Sequence, residues 1–329
     1  MKKSVFFALM LALPAVFCAC RSERTVMLVM SEPNPADSIS ARVDEVFVRK
    51  VEELSKGSVK IQLSTDGALG DNTAIMKVIT RPDTNIHIAR VSPAALSTYG
   101  CGKHELMDVP YTFRSHNHFW NFAASGSAQE ILNEPYEKNI GVKGLYFAEE
   151  GFRHFFSTKE LNGIEDFEGE KIRSAGNSVM NEVILALKGE PVTVTYSNLY
   201  SSLQTGVVNI AEQPIENYLS SNFSKVAPYM ILDGHQLGLT EVVISSQVWD
   251  SLSKEHQEIL VEAGRLAGEF CKIITLEAEE SAKDALRKEG VRIAEVSDIS
   301  KWQEACADVI NSVVKNHTIL YGEIITLAD

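Results

Sequence analysis

The stretch from Asp166 to Pro214, DFEGEKIRSAGNSVMNEVILALKGEPVTVTYSNLYSSLQTGVVNIAEQP, decides the fold. Lys171 to Ser174 reads as a short strand carrying Arg173. Val179, Val183, Ile184 and Leu187 then recur at helical spacing. Gly189 and Pro191 end that helix and open a second strand, Val192 to Thr195. A second helix, Ser197 to Thr205, stops at Gly206, and a third strand, Val207 to Ala211, delivers Glu212, Gln213 and Pro214. Strand-helix-strand-helix-strand predicts an α/β unit with a parallel sheet. Such sheets take ligands in the crevice at their strand ends, where Arg173, Tyr196 and Gln213 fall.

Outward from this unit, the residues resemble a known family. KIRSAGNSV followed by TYSNLYSSLQTGVVNIAEQP is similar to the substrate-binding proteins of TRAP transporters, the DctP type, as are DGALGD (Asp66 to Asp71), DVPYTFR (Asp108 to Arg114) and GFRHFFS (Gly151 to Ser157). The resemblance runs from about Met27 to His317 and departs at two places. Asn209 stands where the family usually has Asp, and Gln213 where it often has Asn, which keeps the amide but changes its reach. The resemblance implies an α/β, two-domain periplasmic-binding-protein-like fold with interleaved crossings and a long domain-spanning helix. The expected division is 24–150 plus about 238–277 for the first domain, and 151–237 plus about 278–329 for the second. It also implies a receptor that hands an organic carboxylate, or a larger apolar acid, to a membrane permease. Some lipoprotein members work with a tetratricopeptide-repeat companion, a further candidate partner.

On that resemblance, Arg173 is the expected carboxylate clamp, because a guanidinium offers a planar fork of donors that matches a carboxylate. The alternative role for Arg173 is an interdomain ion pair. Arg153 is a second arginine within reach of the ligand, or else a hinge ion pair. Tyr196 stands where the family places an aromatic ring on the ligand, and Gln213 can both donate and accept. Glu212 is expected to hold Arg153 or Arg173 in place. Ser31, Glu32, Asp71 and Ser92 are weaker candidates from the first domain. DGALGD reads equally as a cleft-lining turn and as a helix-capping turn with Asp71 as N-cap.

Composition bounds the rest. The chain has 329 residues, 45% apolar, enough for two domains or one large one. Its net charge of −13 argues against a nucleic-acid surface. An acidic protein that binds an anion needs local positive charge, so buried arginines become informative. Lys2 and Lys3 precede an apolar run from Val5 to Phe17 that is too short to span a bilayer and fits a signal peptide over residues 1–19. Cys20 after Ala19 fits a lipidation site, which predicts a periplasmic protein that meets the membrane only through acyl chains. Cys101, Cys271 and Cys306 lack metal spacing and read as buried thiols, with one disulfide among them as the alternative in an exported protein. His104, His116 and His118 show no carboxylate at ligand spacing, so no metal and no cofactor is expected. No GxSxG, phosphate loop or HExxH is present, so an enzyme is disfavoured. A receptor for an ATP-driven importer remains the alternative.

The other expected elements are strands at Thr25–Met30, Val59–Leu63, Asn85–Val91, Leu145–Ala148, Thr240–Ser245 and Val291–Ala294. Helices are expected over Asp37–Ser55, Asn72–Ile79 and Ser300–Lys315. A long helix capped by Ser253 runs to Lys288, or else breaks near Gly268.

Overall fold

The computed structural model describes residues 25–328. Residues 1–24 and Asp329, and with them the expected signal peptide and Cys20, lie outside the described residues.

Nine strands form one sheet: β1 (Val26–Ser31), β2 (Val59–Ser64), β3 (Ile88–Val91), β4 (Val142–Ser157), β5 (Lys171–Ser174), β6 (Glu190–Thr193), β7 (Ile210–Pro214), β8 (Tyr229–Ser245) and β9 (Arg292–Glu295). Their order is β2-β1-β3-β8-β4-β7-β5-β6, with β9 also on β8. β1, β2 and β3 pair in parallel, as do β5, β6 and β7. Each parallel set is built from strand-helix-strand units, which need a crossover. β4 and β8 join the two sets. They run antiparallel from Val142↔Ser245 to Ser157↔Tyr229, with register shifts at Gly144/Tyr146, Glu149/Phe152 and Arg153/Phe155.

Local chemistry sets most boundaries. Ser38 accepts from the Ala41 amide at 3.2 Å, Asp71 from Ala74 at 2.8 Å and Ser253 from His256 at 3.1 Å. These caps start helices Ile39–Leu54, Asn72–Ile79 and Lys254–Glu289. The last is one helix of 36 residues, about 54 Å long. Gly268 does not break it. A Cβ there would stand 3.1 Å from the Trp120 ring, so the glycine permits a close approach. Gly290, at φ +86°, ends it.

Several expected elements are shifted. The second strand of the opening unit occupies Glu190–Thr193, not Val192–Thr195; as the sheet's edge it tolerates Pro191. The third is Ile210–Pro214, not Val207–Ala211. The Val207 and Val208 amides instead bond the Ser202 carbonyl and finish the preceding helix. The expected helix Ser300–Lys315 is two, Ser300–Ala305 and Ala307–Val314, and a further helix, Thr318–Thr326, follows.

The cores divide along the sheet. Helices Ile39–Leu54 and Lys254–Glu289 bury Val43, Phe47, Leu260 and Ala267 against β1 and β3. Phe155, Phe167, Ile172 and Ile184 form one core of the other half, and Phe156, Leu199, Tyr218 and Phe223 a second. Leu320 and Ile324 pack with Leu106, Phe119, Phe122 and Phe147.

Candidate functional site

A cavity of about 590 Å³ lies between the halves. The helix starts at Asn72 and Ser92, with Glu105 and Asp108, wall it on one side. Arg173, the loop Ala175–Ser178, Tyr196, Glu212 and Gln213 wall it on the other. The crossing strands contribute Glu150, Arg153 and Gln236.

The two arginines share one carboxylate. Arg153 on β4 pairs with Glu212 through Nε, and its Nη2 donates to Oε1 at 3.1 Å. Arg173 on β5 donates from Nε to the Val194 carbonyl at 3.0 Å, with Nη1 3.6 Å from Glu212 Oε1. Arg173 is buried, 4% exposed, yet lines the cavity. Burial would raise the Glu212 pKa, but Arg153 and His235 overcome it and hold that carboxyl at about 2. Burial lowers the Arg173 pKa, with Glu212 opposing. Behind Glu212, His235 stands 3.7 Å away and bonds Asp233 at 2.7 Å. Burial disfavours its charged form, yet the two carboxylates raise it to about 9. The cluster can therefore present two guanidiniums with one carboxylate to offset them, an arrangement suited to an anion.

Tyr196 starts helix Tyr196–Gln204 and bonds Ser221 at 2.6 Å. Gln213 lies opposite His154 across the β4–β7 pairing and is buried at the cavity wall. Ser92 caps its helix by accepting from Ala95 at 3.3 Å and lines the cavity. Arg173, Arg153, Glu212, Gln213, Tyr196 and Ser92 thus come together. Ser31, Glu32 and Asp71 are not brought to the wall. Glu32 sits 3.0 Å from the fully buried Arg90, beside Asp44, and burial with Asp44 next to it raises its pKa. Asp71 caps its helix, as one of its two readings has it.

Sequence reading missed Asp108, Gln236, Asn177, Glu150 and Asn34 as lining residues. Asp108 lay within the quoted DVPYTFR, to which no site role was assigned. Asn177 carried a helix-capping signal, and its Oδ1 accepts from Val179 at 2.8 Å. Gln236 lies inside β8 and carried none. Glu150 accepts from Ser40 at 2.7 Å and from Asn34 at 3.3 Å.

His104 and His116 do have carboxylate partners, brought from distant chain segments that local spacing cannot reveal. His104 bridges Glu134 and Glu241 at 3.0 and 2.9 Å. His116 bridges Glu149 and, at 2.9 Å, Glu279. His118 bonds the Ile324 carbonyl at 2.8 Å. Cys101, His104 and Glu134 lie close enough to share an ion. Burial pushes the Cys101 thiol up to about 12, and both His104 nitrogens are engaged by carboxylates. Cys101, Cys271 and Cys306 are buried free thiols.

No helix among the described residues is long and apolar enough to cross a membrane. Residues 30–316 match the family described as bacterial extracellular solute-binding protein, family 7, DctP. The 2,3-diketo-L-gulonate-binding periplasmic protein YiaO of Escherichia coli is 26% identical, over 95% of this chain and 93% of its own. The sialic acid-binding periplasmic protein SiaP of Vibrio cholerae is 24% identical, over 90% of each. A TRAP periplasmic solute-binding protein from Pseudomonas putida, solved with bound D-glucuronate, shares the fold with a TM-score of 0.85. It is 23% identical and covers 91% of this chain and 96% of its own. Fold, cavity and family match agree: the chain belongs to the family 7 extracellular solute-binding proteins, the TRAP transporter receptors of DctP type, and is a binding protein rather than an enzyme.

Proposed function

We propose that this receptor captures a hydroxylated organic acid between its halves and delivers it to the TRAP permease subunits. The observation that carries this reading is the buried Arg173, facing the cavity beside Arg153 with only Glu212 shared between them. A bound carboxylate would take the open donors of both forks. Tyr196 and Gln213 would hold the body of the ligand. Amide and carboxylate groups on the remaining walls favour a sugar acid over an apolar acid. Relatives solved with D-glucuronate and β-D-galacturonate support the same choice. Calorimetry with D-glucuronate and D-galacturonate tests it: saturable one-site binding is expected, and no heat with either would remove the sugar-acid reading.

We also propose that β1–β3 with the adjoining ends of β4 and β8 form one domain, β5–β7 with the opposite ends the other, and that they close over the ligand. Lipidation of Cys20 would anchor the receptor, and a tetratricopeptide-repeat protein would be a companion at the membrane. Cys20→Ser should abolish acyl labelling and release the protein from the membrane fraction; unchanged incorporation of labelled lipid would refute the anchor.

A further inference from the structure

The charged groups on the cavity wall are unequal in number. Its only cations among the described residues are Arg153 and Arg173, and Glu212 already offsets one of them. Three further carboxylates line the same space: Glu105, Asp108 and Glu150. Among the described residues no lysine or histidine lines it.

Asp108 is the best placed of the three. It ends the 3-10 turn Gly102–Asp108, on which Glu105 also lies. Gln236 donates to its Oδ1 from Nε2 at 3.0 Å. Asn177, at the start of a helix from the other half, also hydrogen-bonds it. Both halves therefore hold this carboxylate at the cavity, where it can only accept hydrogen bonds while ionised. Burial pushes it up to about 6, below neutrality, so it is largely ionised at pH 7.5.

Resting on the carboxylate reading above, we propose that Asp108 is a specificity determinant that restricts the ligand to a single carboxylate, with hydrogen-bond donors, hydroxyl or amine, on its distal part. One carboxylate meets the arginine fork. A second would have no cation left to meet and would lie among carboxylates, where like charges in a desolvated site repel. A distal hydroxyl or amine would instead donate to Asp108.

The test compares four acids by calorimetry at pH 7.5: D-glucuronate, D-glucarate, succinate and octanoate. D-glucarate carries a second carboxylate at C1 in place of the hemiacetal carbon of D-glucuronate and is therefore open-chain, so the effect of Asp108→Asn on the preference isolates the charge. D-glucuronate should bind at least about tenfold more tightly than D-glucarate, with succinate and octanoate weaker still. Asp108→Asn keeps the shape and removes the charge. It should weaken D-glucuronate about tenfold and shrink the discrimination against D-glucarate. Tightest binding of D-glucarate or succinate would overturn the inference while leaving the carboxylate receptor standing. Tightest binding of octanoate, or no binding of any acid, would overturn both. A folded Asp108→Asn protein with unchanged preference would remove Asp108 from the role. If the variant does not fold, D-gluconate, open-chain with one carboxylate, replaces it as the control: wild-type protein should bind D-gluconate more tightly than D-glucarate, and the reverse order would overturn the single-carboxylate claim.

Discussion

Arg173 shows what one residue can do when the backbone takes part of its hydrogen bonding. Its Nε is spent on the Val194 carbonyl, which fixes the guanidinium plane and leaves the terminal nitrogens toward Glu212 and the cavity. Removing the fork from a bound carboxylate should cost about 2–5 kcal/mol of affinity. Arg173→Lys keeps the charge but loses the paired donors and the Val194 contact geometry, so it should recover only part of that loss. Calorimetry on variants with normal melting curves checks this. If folded Arg173→Ala binds D-glucuronate like the wild type, Arg173 serves only as a buried ion-pair residue. The motif around Arg173 made it visible in the sequence. Gln236 and Glu150 were invisible because pairing between distant strands, and not their neighbours, carries them to the cavity.

At the scale of elements, the crossing of β4 and β8 holds a tightly constrained glycine. Gly151 has φ +89°, and a Cβ there would lie 2.5 Å from Glu279 Oε1. That carboxylate accepts from the Phe152 amide at 2.7 Å and from His116 at 2.9 Å. Gly151→Ala should therefore destabilise the fold by about 1–3 kcal/mol, measured by denaturant unfolding, through backbone strain and displacement of Glu279. His116 adds a pH dependence. Burial disfavours its charge, but Glu149 and Glu279 raise it to about 9. Burial likewise opposes the charge of His104, which Glu241 and Glu134 raise to about 9. A histidine raised above its unfolded value of about 6.5 stabilises fully below that pH and loses the contribution as pH climbs through the folded value. Stability should fall between pH 6.5 and 9, and His116→Gln should flatten part of that fall. An unchanged slope would mean that His116 is not the titrating group. The short parallel strands were readable because Gly and Pro punctuate them. β4 and β8 were seen only as fragments. Gly144, Gly151, Gly234 and Gly238 lie inside them and look like turns until a partner strand supplies the missing order.

For the molecule as a whole, one sheet and one helix of 36 residues cross both halves. The proposed closure would therefore act by bending at the irregular register between Glu149 and Arg153 and not through a flexible linker. Saturating D-glucuronate should shrink the radius of gyration in solution scattering and raise the melting temperature by mass action. Superimposable scattering curves, with binding shown by calorimetry, would refute closure.

The pairing of β4 with β8 also sets the order in which the chain can fold. β3 has β8 as its neighbour on one side, so the sheet of the first half stays incomplete until Glu241 to Ile244 have been made. Synthesis delivers the chain from its N-terminus, and the long loop between these partners must close before either half is whole. A chain cut before Tyr229 should show no cooperative melt, however intact its first three strands are in sequence. The nascent receptor is thus committed to remain unfolded through more than half of its synthesis.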